Sequence, residues 1–216
     1  MNVTCISSSN ILHQKEGTSY RICKMISDSL RSINADIDLS IIELKNYDLS
    51  PCIGCGKCYE TKRCSINDNF NNIYNKLVDS DIVFIVSPHY APIPAKLCML
   101  LEKMEQISFL HWGKDNAYKS EMFGKIAGII SHGGGAKWAL KSYKLMVNDT
   151  IANALDTIQI KVVPYNEDWK TGISLPVKNI IISDNNIFPI QEYDFNYLYS
   201  EIQNYIEKVI EFYNNY

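Results

Sequence analysis

Two short runs set the frame for the whole chain. Residues 81–87 (DIVFIVS) and 125–131 (KIAGIIS) are almost unbroken stretches of apolar and β-branched side chains. A strand without polar alternation has no face for water, so it belongs inside a parallel sheet covered on both sides. Each run is preceded and followed by apolar residues at helical spacing. Residues 3–7 read as a first strand. Cys23, Ile26, Leu30 and Ile33 then mark a helix that Thr18 or Ser19 can cap. Ile37, Leu39, Ile41 and Ile42 mark a second strand. Phe70, Ile73, Tyr74 and Leu77 share one face of a helix with Asp68 as its N-cap. Further helices are expected over 95–109 and 138–155, a fifth strand over 157–163, and a last helix through Phe195, Leu198, Ile202, Ile206, Val209 and Phe212. Five strand–helix steps predict an α/β fold: a doubly wound, five-stranded parallel sheet with helices on both faces. The 1–216 span reads as a single domain. Residues 51–67 form a cysteine loop, and 164–190 an irregular insertion with room for a small hairpin.

Composition narrows the classes. Of 216 residues, 46% are hydrophobic and 21% charged, which suits a folded globular chain. The net charge of −3, without a basic block, makes nucleic acid or an anionic membrane surface an unexpected partner. No apolar run approaches the roughly 20 residues of a membrane span. The opening MNVTCISSSN lacks the basic and apolar regions of a signal peptide. Of the seven cysteines, four crowd into Cys52, Cys55, Cys58 and Cys64. A disulfide framework spreads its cysteines, so a cytoplasmic location and a metal or redox role are expected.

In a doubly wound sheet, ligands bind beyond the carboxyl ends of the strands, where strand order reverses. Three loops matter there. After the first strand come Ser7, Ser8, Ser9 and Asn10, then Gly17, Thr18 and Ser19 opening a helix, a hydroxyl-rich phosphate cradle. It matches neither the Walker loop nor the dinucleotide G-x-G-x-x-G pattern. After the third strand comes 87–97, SPHYAPIPAKL. After the fourth come Ser131, His132, Gly133, Gly134 and Gly135. An H-G-G-G oxyanion loop would need a G-x-S-x-G nucleophile elbow, which the sequence lacks.

The 87–97 segment resembles the S-P-x-Y stretch of the NADPH-dependent FMN reductase family, within the flavodoxin-like superfamily. The resemblance implies strand order 2-1-3-4-5 and FMN as cofactor. It implies phosphate contacts at Ser7, Ser9, Asn10, Thr18 and Ser19. It also implies ring contacts at Pro88, His89, Tyr90, Ala91 and Ile93, and a third glycine-rich flavin loop at Ser131, His132, Gly133 and Gly134. His132 can bond the flavin or cap the next helix. This chain departs from the family pattern at Ser8, Asn10, Pro92 and Cys98.

The cysteine spacing is C-x2-C-x2-C-x5-C, with Gly54 and Gly56 between the ligands and Lys57, Lys62 and Arg63 nearby. Four thiolates are what a cubane takes. Structural zinc instead prefers two separated C-x2-C knuckles. Free thiols remain the other reading. The run resembles the compact motif of iron–sulfur flavoproteins, from Pro51 to the 67–70 helix start. Cys5, Cys23 and Cys98 read as buried packing residues.

Together these features point to an FMN-dependent oxidoreductase carrying a [4Fe–4S] cluster. It would pass electrons from NAD(P)H or ferredoxin to a small oxidant, as a homodimer or homotetramer. A cluster-free NAD(P)H-dependent FMN or quinone reductase, and a non-enzymatic flavodoxin-like electron carrier, are the alternatives. No side chain is singled out as a general acid or base.

Overall fold

The computed structural model describes residues 1–12, 16–90, 92–185, 187 and 189–216. Its centre is the pair of strands that the apolar runs predict, β3 (Ile82–Pro88) and β4 (Ile126–His132), every residue of which is buried. With β1 (Asn2–Ser7) and β2 (Asp38–Glu43) they form a parallel sheet. The order is β2-β1-β3-β4-β5, the flavodoxin-like arrangement. The fifth position is shared. β5 (Lys161–Val162) pairs with the start of β4, while β6 (Ile173–Leu175) pairs with its end. The expected strand over 157–163 is therefore shorter, and the irregular stretch after it supplies the missing half. That stretch also holds a separate antiparallel ribbon, β7 (Asn179–Ile181) with β8 (Ile190–Glu192).

The side-chain alternation of each strand divides the core in two. Ile82, Phe84 and Val86 point to one side, against α1 (Thr18–Ile33) and α7 (Phe195–Asn215). Val83 and Ile85 point to the other, against α3 (Phe70–Val78), α4 (Ala95–Trp112) and α6 (Asp149–Thr157). Each such side chain, fully buried, is worth roughly 1.5–3 kcal/mol. A short α2 (Cys58–Thr61) lies within the cysteine loop.

Local details differ from the sequence expectations. Gly17, not Thr18 or Ser19, is the N-cap of α1, so both hydroxyl residues fall inside the first turn. Asn69 is the N-cap of α3, while the Asp68 carboxylate accepts the Phe70 amide at 2.9 Å. The helix expected over 138–155 is broken. It runs through α5 (Leu140–Tyr143) and a π turn (Lys144–Asn148) before α6. The π turn aims the fully buried Asn148 at β6, where its amide donates to the Thr171 and Ile173 carbonyls at 3.1 and 3.0 Å. Cys5 and Cys23 are buried as expected, but Cys98 is exposed, because it lies on the outer face of α4.

Tyr205 joins α7 to the sheet. Its hydroxyl donates to the Val163 carbonyl at 2.7 Å and accepts the Ile129 amide at 3.2 Å. The ring is fully buried. Tyr205→Phe strands one buried carbonyl and one buried amide, so it is expected to destabilise the fold by about 1–3 kcal/mol. Urea denaturation of the two proteins measures the difference.

Candidate functional site

Parallel strands end together, so the loops after β1, β3 and β4 meet at one edge of the sheet. The first is held tightly. Ser7, Ser8 and Ser9 are buried, and the Ser8 amide and hydroxyl both donate to the Val86 carbonyl, at 3.0 and 3.1 Å. Asn10 is exposed. The first bond within α1 runs from Arg21 N to Gly17 O at 3.0 Å. The amides of Thr18, Ser19 and Tyr20 thus have no acceptor within the helix, and no side chain caps it among the described residues. Such a helix start attracts an anion.

The second and third loops are tied to each other. The His89 amide donates to the His132 carbonyl at 2.9 Å. Pro88 is buried at the end of β3, and Tyr90 stands 43% exposed at the rim. Ile93 turns inward and joins the core on the α4 side. Ala91 lies outside the described residues. The His89 ring leans on Tyr143, and its buried Nε2 has no hydrogen-bond partner. Gly133 and Gly135 pass so close to Tyr143 that an added Cβ would come within 2.7 Å of that ring or its hydroxyl. The Tyr143 hydroxyl and the Gly135 amide are 2.5 Å apart, which fixes the glycine backbone where a flat ligand can approach it.

Three of the expected site side chains are already engaged with protein. Ser131 bonds the Ser174 hydroxyl at 2.6 Å. Ser19 bonds His132 Nε2 at 2.7 Å, and Tyr193 sits 3.4 Å from His132 Nδ1. One proton arrangement satisfies the set: Ser19 donates to Nε2, Nδ1 donates to Tyr193, and Tyr193 donates to the Gly133 carbonyl at 3.1 Å. His132 is neutral in this arrangement. It buttresses the loop from behind, and Gly134 is the exposed residue of that loop. Burial pushes its pKa down from 6.5 to about 4.

The cysteine loop leaves the carboxyl end of β2 but does not stay there. It folds back along the helical layer, and Cys52, Cys55, Cys58 and Cys64 line one pocket with Lys103, Gln106, Ile107 and Leu110 of α4. Gln106 is roughly 17 Å along the helix from Ala95, at 1.5 Å per residue. The cysteines therefore sit on the flank of the domain, away from the flavin edge where sequence position alone suggests them. Gly54 and Gly56 take positive φ, 63° and 70°, and wrap the backbone around the pocket. The Gly54 amide points at Cys52 Sγ (3.4 Å), and Ser65 Oγ lies 3.4 Å from Cys55 Sγ. The Ser65 hydroxyl, the backbone amide of Lys57 and its ammonium lower the Cys55 thiol, whereas burial raises Cys58. The other three cysteines also raise Cys58, as neighbouring like charges do. Among the described residues, no three His, Cys, Asp or Glu side chains converge on a single-ion site. The four cysteines line one pocket.

The model of the family described as NADPH-dependent FMN reductase matches residues 1–162. The chain belongs to that family. It is 31% identical over 81 residues to an iron–sulfur flavoprotein of Methanocaldococcus jannaschii, covering 37% of this chain and 42% of that one. It is 28% identical over 100 residues to an iron–sulfur flavoprotein of Methanosarcina thermophila, covering 46% of this chain and 50% of that one. The chain thus spans half or less of the length of these relatives. In fold it is similar to RosB, solved with the bound intermediate 8-demethyl-8-formylriboflavin-5′-phosphate: TM-score 0.64, 11% identity, 99% of this chain and 79% of that one. No helix among the described residues is long and apolar enough to cross a membrane.

Family membership directs attention to residues that the sequence did not single out. Tyr143 and Tyr193 brace the glycine loop, and Lys103, Glu102 and Ser65 surround the cysteines. None carries a local motif; Tyr193, Glu102 and Lys103 come from distant segments that only the fold brings near. The buried His132 has a measurable consequence. Between pH about 6.5 and about 4 the unfolded chain binds more protons than the folded one, so stability falls as pH falls. The contribution is complete above about 6.5, is lost by about 4, and totals about 3 kcal/mol. Denaturant melts of the flavin-free protein from about pH 7 to about pH 4 should show this slope, and His132→Gln should flatten it.

Proposed function

We propose that this chain is a flavin-dependent oxidoreductase of the iron–sulfur flavoprotein type. FMN sits at the carboxyl edge of the sheet and a [4Fe–4S] cluster on Cys52, Cys55, Cys58 and Cys64. Electrons pass from NAD(P)H or ferredoxin to a small oxidant. The observation that carries the cluster half is that all four cysteines line one pocket, with the Gly54 amide on Cys52 Sγ and the Ser65 hydroxyl beside Cys55 Sγ. Four cysteines in one tight stretch suit a cubane better than structural zinc, which prefers two separated C-x2-C knuckles. The names of the two methanogen relatives point the same way.

The flavin half rests on the family match and on the loops. The uncapped start of α1 beside buried Ser7 and Ser9 suits a terminal phosphate. The unpartnered His89 Nε2 and the braced glycine backbone suit the polar edge and face of the ring. Bound FMN would supply hydride and single-electron chemistry, and the cluster single-electron transfer. The protein's part is positional. Ser7, Ser9, Asn10, Thr18 and Ser19 hold the phosphate end. Pro88, His89 and Tyr90 hold one side of the ring, and the Ser131–Gly134 loop approaches from the other. His132, kept neutral, adds no positive charge behind the flavin.

Two measurements separate the halves. Cys55→Ala and Cys58→Ala, purified without oxygen, are expected to lose iron and the broad absorbance near 400 nm while keeping a full complement of flavin. Gly135→Ala is expected to do the reverse, because its Cβ would lie 2.3 Å from Ala139 Cβ and push the loop from the ring. Wild-type protein with stoichiometric FMN and no iron would instead establish the cluster-free reductase.

A further inference from the structure

The wall of the cysteine pocket contains a buried cation. Lys103 points from α4 toward the loop with its side chain 2% exposed, and its ammonium meets Asp68 Oδ2 at 2.5 Å. It also lies 5.4 Å from the centre of the Phe70 ring. Lysine is almost never this buried without a strong partner. The pair is oriented. Lys103 lines the pocket with the four cysteines, and Asp68 does not. The carboxylate is turned toward the backbone, where it accepts the Ser50 and Phe70 amides at 2.9 Å each. Burial alone would raise Asp68, but Lys103 and those two amides outweigh it and hold the carboxyl below its ordinary value. The carboxylate is thus engaged three times over, and Lys103 is the member of the pair that lines the pocket.

We propose that Lys103 sets the redox level of the cysteine site: its buried ammonium stabilises the more negative, one-electron-reduced state of a cluster held by Cys52, Cys55, Cys58 and Cys64. This rests on the cluster reading above. Each electron added to a four-thiolate cluster adds one negative charge. A fixed cation at the pocket wall, in a medium of low dielectric, offsets that charge far better than exposed Lys57 can. Asp68 is a positioning residue. It holds the ammonium in place and, through Ser50 and Phe70, pins both ends of the loop to the same spot.

The test is a redox titration of the anaerobic, iron-loaded protein with dithionite as reductant, followed by electron paramagnetic resonance. Lys103→Met is expected to keep its iron and move the cluster midpoint to a more negative potential. Lys103→Arg keeps a cation in place and is expected to stay near wild type. Because Lys103→Met leaves a lone buried carboxylate, the double variant Lys103→Met/Asp68→Leu removes both charges. It too is expected to fold, hold iron and titrate below wild type. Variants that hold iron and titrate with wild type overturn the inference and leave the cluster reading standing. Loss of iron from the double variant also overturns it, since that makes the pair a structural clasp only. Wild-type protein that binds no iron fails the cluster reading itself, and the inference falls with it.

Discussion

Burial of β3 on both faces is the constraint on which the rest of the molecule depends. All seven of its residues are buried, and its side chains alternate between two cores, so helices must cover both sides of the sheet. Covering helices require crossover connections, and crossovers make the strands parallel. Parallel strands end on the same side. The phosphate loop, the SPHY loop and the glycine loop become neighbours for that reason alone, whatever their own sequences. Binding chemistry then needs only small residues at that edge and the free amides of a helix start, which is what Ser7, Ser9, Gly133 and the first turn of α1 provide.

What was legible in the sequence follows from this. The central strands and the helices that flank them were written as local periodicity, because β3 and β4 leave no doubt about which faces are dry; the strand order came from the family resemblance. The fifth strand was not so legible. Its two pieces are only two and three residues long, separated by an excursion, and no local pattern reveals that 173–175 continues the edge begun at 161–162. Nor could spacing place the cysteine pocket. The loop begins at the carboxyl end of β2, but its path is decided by distant partners: Arg63 with Glu121 at 2.6 Å, Tyr59 stacked on His111 at 4.7 Å, and Cys52 N on Glu102 at 3.0 Å. His132 shows the same limit in one residue. Its position in a glycine loop suggested a ligand contact, whereas the fold supplies Ser19 and Tyr193 to use both ring nitrogens.

The cysteine loop raises a thermodynamic question of its own. It has one turn of helix and few ladder bonds, and fixing each residue costs about 1–2 kcal/mol of backbone entropy. The cost is met by side chains that replace a ladder. The amides of Asp48, Ser50, Cys52 and Cys64 donate to Asn69, Asp68, Glu102 and Asn71, at 2.8 to 3.0 Å. Each acceptor sits on or beside α3 or α4, which are anchored in the core. An irregular loop whose amides are satisfied by rigid neighbours keeps its shape, so the four cysteines stay gathered at one pocket. Ligand binding then spends less on ordering the loop.

Helix α4 is the element that relates the two sites. It starts at Ala95, directly after the ring-facing loop, and its middle turns wall the cysteine pocket. Along the way it fixes the connecting chain three times. Lys96 donates to the Lys45 and Tyr47 carbonyls, at 3.0 and 2.6 Å, Glu102 takes the Cys52 amide, and Lys103 takes Asp68. A helix buried along one face against the core does not stretch, so the distance between flavin edge and cysteine pocket is set by its rise per residue. Substitutions that alter either site's chemistry therefore leave that spacing unchanged, whereas a change that breaks α4 disturbs both sites together. The sheet edge and the cysteine loop are separate in sequence, and one rigid helix ties the position of each to the other.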